Sequence, residues 1–296
     1  MTTLTLRRIR RWRRATAYVP RPVRIAMTTR AGKLGAAMIL LVGMLAFVGP
    51  YLAPHSHTEI VGTPFLGPSS DALLGTDFLG RDALSRFLAG GAYLVVTGFV
   101  ATVLAYLVGI PVGIAAGFFR GPFDLGVVGI ADLIISFPAI VLVLVLLAGA
   151  GTGVEVVIAA IALIHVPRII RLVRIVTMEI ATLEYVEAAV ARGERMIVIF
   201  KRDILANMWT PLLADFGIRM TGSIIIVSSI SYLGLGAAPP AANWGLMISE
   251  NRLGLLTQPW VLIVPALAIG LFAIGISLVA DAVARSVGRS IVDPNV

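Results

Sequence analysis

Long uncharged stretches constrain this chain most. Five runs, Leu34–Pro54, Phe87–Phe119, Leu133–Val154, Met220–Ser249 and Leu253–Ala280, contain no Asp, Glu, Lys or Arg. Crossing a bilayer takes about 20 mostly apolar residues per helix. The three middle runs lack the polar stripe that a surface helix of a soluble domain needs. Backbone in hydrocarbon must satisfy its own hydrogen bonds, so these runs are expected to be helices. They show no two-residue alternation of the kind barrel strands carry. Composition agrees: 58% of the 296 residues are hydrophobic, against roughly 45–50% in soluble domains, and the mean hydropathy is +0.95.

The patterning predicts an all-α membrane protein with six spans near 34–54, 93–119, 126–150, 156–176, 212–236 and 259–281. The fourth has a short uncharged core, Val156–Pro167, and continues through Arg168, Arg171 and Arg174, whose long side chains can snorkel to an interface. The sequence divides into a basic arm (1–33), a membrane domain (34–283) and a short tail (284–296). The arm carries ten of the basic residues, from Arg7 to Lys33. The net charge of +8 would suit nucleic acid. Its concentration before the first span fits a positive-inside flank instead, with an RNA-binding arm as the alternative. With the N-terminus in the cytoplasm, twenty basic residues fall on the cytoplasmic side and three (Arg81, Arg86, Arg252) outside, and both termini are cytoplasmic.

Segment 55–91 is then extracytoplasmic. It opens with turn residues and leads into Asp82–Leu88, where Asp82 is a plausible N-cap and Leu84, Phe87 and Leu88 share one side, as in a helix lying in the interface. Trp244 and Trp260 suit an aromatic belt. The cytoplasmic loop 177–210 reads as a hairpin. A helix from Glu184 to Arg192 ends at Gly193, a residue suited to the left-handed position after a helix, and a second helical stretch runs through Phe200 to Leu205. By itself this is either a docking element or a solvated loop without a partner.

Chemistry narrows the function classes. With no cysteine there are no disulfides, thiolate metal sites or thiol nucleophiles. Lys33 and Lys201 fit no P-loop, and no GxSxG or HExxH pattern occurs, so the chain is read as a non-enzyme with no cofactor or metal of its own. His55 and His57 read as surface residues, and His165 as a solitary histidine in span four. Ion coupling would call on carboxylates in the spans. Asp132 and Asp215 are the candidates, although Asp215 and Arg219, four apart, can also form a structural pair.

The run Glu187-Ala188-Ala189-x-x-x-Gly193, followed by Ile204-Leu205, resembles the EAA loop of ABC importer permeases. Gly75-Thr76-Asp77-x-x-Gly80-Arg81-Asp82-x-Leu84-Ser85-Arg86 is similar to the signature of the C-type permease of dipeptide, oligopeptide and nickel importers. Asp132-x-x-x-Ser136-Phe137-Pro138, Ser231-Tyr232-Leu233-Gly234-Leu235-Gly236, Pro239-Pro240 and Trp244-Gly245 also look like that family. The sequence departs from it at Ala206, where a proline is usual, so the second loop helix is expected to run on into span five; the C-terminal Asp293-Pro294-Asn295 is a second departure.

The resemblance implies a type I importer permease fold. It implies half of a heterodimeric pore for di- or oligopeptides, paired with a B-type permease in a bacterial plasma membrane. ABC ATPase subunits holding ATP and Mg would sit on one side and a substrate-binding protein on the other. Glu184, Glu187, Ala188, Ala189, Gly193, Ile204 and Leu205 would couple the chain to the ATPase. Ser223, Ser228, Ser229 and Tyr232 in span five are candidates for the pathway, or alternatively for helix–helix contacts. The rival classes are an ion-coupled carrier and a membrane scaffold or receptor.

Overall fold

The structure is a computed structural model that describes residues 28–292, with side chains through Ser286. Residues 1–27, most of the basic arm, and Asp293-Pro294-Asn295 lie outside the described residues.

The chain is helical, with one long connection, residues 53–82, and shorter ones elsewhere among the described residues. Helix α1 (Arg30–Phe47) starts at Thr29, whose side chain accepts a hydrogen bond from the Gly32 amide. It breaks before Pro50 and ends in a single turn, α2 (Gly49–Leu52). A loop with two isolated bridge pairings, Ile60 with Arg81 and Thr76 with Asp82, leads to α3 (Ala83–Ala89). Asp82 caps α3 as expected, accepting from the Ser85 amide at 2.9 Å. The interfacial placement is corrected, however. Ala83, Ser85, Arg86, Phe87 and Leu88 are all buried, and α3 leads directly into α4 (Gly91–Phe119) through Gly90.

Helices α5 (Gly121–Ser136) and α6 (Ala139–Ala150) replace the straight third span. They meet at 91°. Pro138 supplies no amide and disfavours helical backbone before it, and Phe137 is extended at φ −84°, ψ 140°. Helix α7 (Val154–Ile180) is followed by the hairpin helices α8 (Glu184–Ala191) and α9 (Met196–Ile199). A π-helical stretch, Phe200–Leu205, joins α9 to α10 (Ala206–Tyr232). The run from Met196 to Tyr232 is thus unbroken, as the alanine at position 206 leads one to expect. Helices α11 (Trp244–Glu250) and α12 (Trp260–Val292) complete the chain. Among the described residues five helical segments are long and apolar enough to cross a membrane, and the bent α5–α6 pair makes a sixth passage if counted as one.

The most extensive helix pair is α4 with α7. Gly109, Gly113 and Gly117 recur every fourth residue along the contact face of α4. A Cβ there would meet Ile169 at 2.6 Å, Val173 at 2.7 Å and the Arg174 carbonyl at 2.6 Å. Lipid tails give apolar helices no hydrophobic reason to associate, so close backbone approach over small residues supplies the packing energy instead. The other major pairs are α1 with α12 and α10 with α12, and α10 also packs on α4. The interior is one large apolar cluster running from Val42 and Trp244 to Ile276, with a second under the hairpin.

Candidate functional site

At one end of the bundle, the hairpin is built by backbone hydrogen bonds. Helix α8 closes in a Schellman motif: the Gly193 amide donates to Val190 O at 2.9 Å and the Glu194 amide to Ala189 O at 3.2 Å. Gly193 sits at φ +73°, where a side chain would be strained. Just beyond, Glu194 accepts from Arg192 at 2.6 Å and from Arg202 at 2.7 Å. The Arg192 guanidinium, with Arg202 beside it, holds the Glu194 carboxyl below its ordinary range.

The seven expected coupling residues divide between two environments. Glu184, Glu187, Ala188 and Gly193 are exposed. Ala189 and Ile204 are fully buried, packed with Val186, Ile199 and Met208 beneath the hairpin, and Leu205 packs against the same cluster. Ala189, expected among the coupling residues, is thus not available on the surface: its methyl seals the inside of the hairpin, and Ala188 alone of the pair faces outward. The sequence reading missed an exposed apolar rim of Leu183, Tyr185, Val190, Ile197 and Val198. Helical spacing gives no signal for them, since Leu183 and Val190 lie three and four residues from buried Val186.

Two contacts tie the hairpin to the bundle. Asn207 donates to the Tyr185 hydroxyl at 3.1 Å. Phe200 packs edge-on against Phe118 and Phe119 at the end of α4, with centroids 5.1 and 5.9 Å away. Glu187 also lines a groove of about 460 Å³ with Phe118, Arg120 and Thr182.

Inside the bundle, polar side chains join α4, α7 and α10. Ser223 is fully buried, with its hydroxyl 2.8 Å from Thr102 Oγ1 and 3.0 Å from His165 Nε2. Ser223 therefore makes the helix–helix contact, and His165 is not solitary. Tyr106 donates to Asp215 at 2.6 Å, and Arg219 binds the same carboxylate at 2.8 Å. Asp132 is paired with Arg171, and Asp124 with Arg174. Ser228 and Ser229 return their hydroxyls to Ile224 O and Ile225 O. Together with Tyr232 they border an apolar groove of about 740 Å³ toward the other end, between α6, α10, α11 and α12.

That other end is locked by charge. Asp77 receives Arg81 at 2.8 Å and Arg86 at 2.5 Å, and Arg86 also reaches Glu250 of α11 at 2.9 Å. Trp244 corrects the aromatic-belt expectation. It is fully buried, stacked on Phe87 at 5.3 Å, and donates its indole N–H to Phe87 O at 2.7 Å. Trp260, at the start of α12, stays exposed. His55 lies 3.7 Å from Asp82 and not against His57 in a metal site; among the described residues no three ligand-type side chains converge.

Comparison with known proteins follows the same lines. Residues 109–293 match the family described as binding-protein-dependent transport system inner membrane component. The chain is 34% identical over 245 residues to the glutathione transport system permease protein GsiD of Pectobacterium atrosepticum, covering 82% of this chain and 81% of that one. It is 32% identical over 263 residues to GsiD of Escherichia coli O6:K15:H31, covering 88% and 85%. Among solved structures it is similar to inward facing conformations of the MetNI methionine ABC transporter. There the TM-score is 0.53 and the identity 19%, covering 67% of this chain and 96% of that one, a likeness of fold alone.

Proposed function

We propose, from the premise that this chain belongs to the binding-protein-dependent transport system inner membrane component family, that it is half of a heterodimeric import pore driven through its hairpin. The chain is a permease component of an ABC importer. Its partners, on this reading, are a B-type permease, ABC ATPase subunits that hold ATP and Mg, and a substrate-binding protein. The hairpin and both termini face the cytoplasm, because that orientation puts the basic residues inside. The solute is a small peptide such as glutathione, as the names of the relatives suggest.

One observation carries the reading: the hairpin is mechanically continuous with the spans. Its second limb passes without interruption into α10, and Phe200 bears on the end of α4. An ATPase that grips the exposed rim and Glu184, Glu187 and Ala188 would therefore move two packed helices at once. An ion-coupled carrier is less well supported, since both Asp132 and Asp215 are engaged by arginines.

The test is site-directed cross-linking in the assembled complex from cysteines placed at Ala188 and Ile197. Bonds to the ATPase subunit are expected from both positions. Labelling of the hairpin from the extracytoplasmic side, or cross-links to no ATPase, would overturn the reading.

A further inference from the structure

Between α1, α4, α10 and α12 runs a groove of about 550 Å³ whose lining holds no polar or charged side chain. Its floor is buried, with Met220, Phe272 and Ile276 at most 7% exposed. Its rim is open, and Phe47, Val96 and Phe99 there are half-exposed. All four helices belong to segments long and apolar enough to cross a membrane, so the open side meets hydrocarbon. Unfilled walls would forfeit dispersion contacts, which favours a filled groove.

The walls say what fills it. Spans associate over small residues that let backbones approach, or through polar side chains. The open rim of Phe47, Val96 and Phe99 offers neither. The small lining residues, Gly217 and Ala280, are spent on each other: a Cβ on Gly217 would stand 2.4 Å from that of Ala280. A slot between bulky apolar side chains suits a lipid chain better than another helix.

One end of the groove carries charge. Helices α1 and α12 run antiparallel, and a Cβ on Gly35 would stand 2.9 Å from Leu278 and 3.0 Å from Val279. Val283, the last lining residue on α12, is therefore level with Ala31, between Arg30 and Lys33. Both basic side chains are exposed, and no carboxylate among the described residues ion-pairs with them. Lys33 precedes Phe47 by about four turns and so shares its side of α1. Asp281, at that level of α12, lies 4.0 Å from Arg285 of its own helix. Against Arg30, Lys33 and Arg285 it leaves two positive charges in excess. Trp209, half-exposed, is one turn from the lining residue Leu213 at the same end. Indole rings favour the depth of lipid headgroups.

We propose that the groove binds an anionic phospholipid, with one acyl chain in the slot and the phosphate against Arg30 and Lys33. Apolar contact holds the chain, and basic residues at the cytoplasmic ends of spans select the headgroup. The bound lipid wedges α1 against α10, the limb that continues the hairpin. The proposal needs only that these helices cross a membrane, and it is independent of the solute and of how the hairpin is driven.

The test uses the full complex in phosphatidylcholine nanodiscs. These carry a trace of phosphatidylglycerol or of phosphatidylcholine with a diazirine in one acyl chain. After photolysis, the label on this chain is mapped by peptide mass spectrometry. Each basic residue near an anionic headgroup is worth about fivefold in affinity. The phosphatidylglycerol probe should therefore place about fivefold more of its label in segments 95–99 and 272–283 than the phosphatidylcholine probe does. Arg30→Gln combined with Lys33→Gln should bring the two probes level; the eight arginines before Arg30 keep the orientation. Gly43 lies between Ile39 and Phe47 on that side of α1, and a Cβ there would meet nothing within 4 Å. Gly43→Leu should therefore crowd out the lipid chain and lower the groove's share of label several-fold for both probes. Val96→Trp, on the opposite rim, should do the same. No label in the two segments, equal labelling by both probes, a preference that survives the double substitution, or labelling unmoved by both filling variants would each overturn the proposal. So would cross-linking of Phe99→Cys, in a chain without other cysteines, to another subunit, since a protein span would then occupy the groove.

Discussion

Arg86 and Glu250 come from opposite halves of the sequence and meet at 2.9 Å, with the arginine side chain fully buried. Asp77 shares the same guanidinium nitrogen at 2.5 Å. The loop that leads into α3 and helix α11 are thereby fixed to one another by charge, with the Phe87–Trp244 stack beside them.

Removing one partner of a buried ion pair costs about 3–5 kcal/mol, because the other charge stays buried. Glu250→Ala is therefore expected to lower the melting temperature of the purified complex and expose the 53–82 segment to protease. Glu250→Gln, which keeps an acceptor, should be milder. Equal behaviour of the two variants would show that the charge is not what holds the segment.

Gly113→Ala places a methyl 2.7 Å from Val173. Overpacking of this kind costs about 1–3 kcal/mol, and the α4–α7 pair should separate at lower temperature. Gly126→Ala is the control, since nothing lies within 4 Å of the added carbon. Thermal unfolding in detergent, followed by near-UV dichroism, compares the two.

Gly193→Val forces a β-branched residue into φ +73°, a strain of about 1–2 kcal/mol, and undoes the Schellman closure. Membrane insertion should be normal while ATP hydrolysis no longer drives uptake. Glu187→Lys should uncouple in the same way by reversing an exposed charge. Normal uptake by both variants in proteoliposomes would remove the hairpin from the coupling path.

Ser223→Ala leaves His165 Nε2 without its oxygen partner in a buried setting, worth about 1–3 kcal/mol. Ser229→Ala removes only a bond to its own helix and should be close to neutral. The pair of melting temperatures separates a helix contact from a pathway residue.

The Glu194 carboxyl is held below its ordinary value, first by the Arg192 hydrogen bond. A depressed folded-state pKa means the linkage stabilises above the ordinary value of 4.5 and fades as pH falls through the lowered one. Hydrogen-exchange protection factors across 184–199, taken relative to the intrinsic rate at each pH, should therefore fall in acid below pH 4.5 in the wild type. The exposed pair is weakly coupled, so the effect is small, and Glu194→Gln should remove it.

Much of this was legible in the residues. The apolar runs placed the spans, Asp82 announced the start of α3, and Gly193 announced the end of α8, because capping is local chemistry. Ala206 in place of a proline correctly implied a continuous second limb. What escaped was decided by partners distant in sequence. Trp244 and Arg86 look like surface residues in a polar segment until Phe87 and Glu250 are brought to them. Ser223 reads like any serine in a span until α4 and α7 supply Thr102 and His165. The 91° bend at Pro138 was written in the sequence, but a hydropathy average runs straight over it.

The uninterrupted stretch from Met196 to Tyr232 is 37 residues, or about 55 Å at about 1.5 Å per residue. Such a length acts as a lever. A tilt of about 5° imposed at the hairpin displaces the far tip by about 5 Å, comparable to the width of a peptide backbone. On the proposed coupling, small strokes delivered at the hairpin would be magnified into opening and shutting at the opposite end of the bundle, without any helix having to unwind.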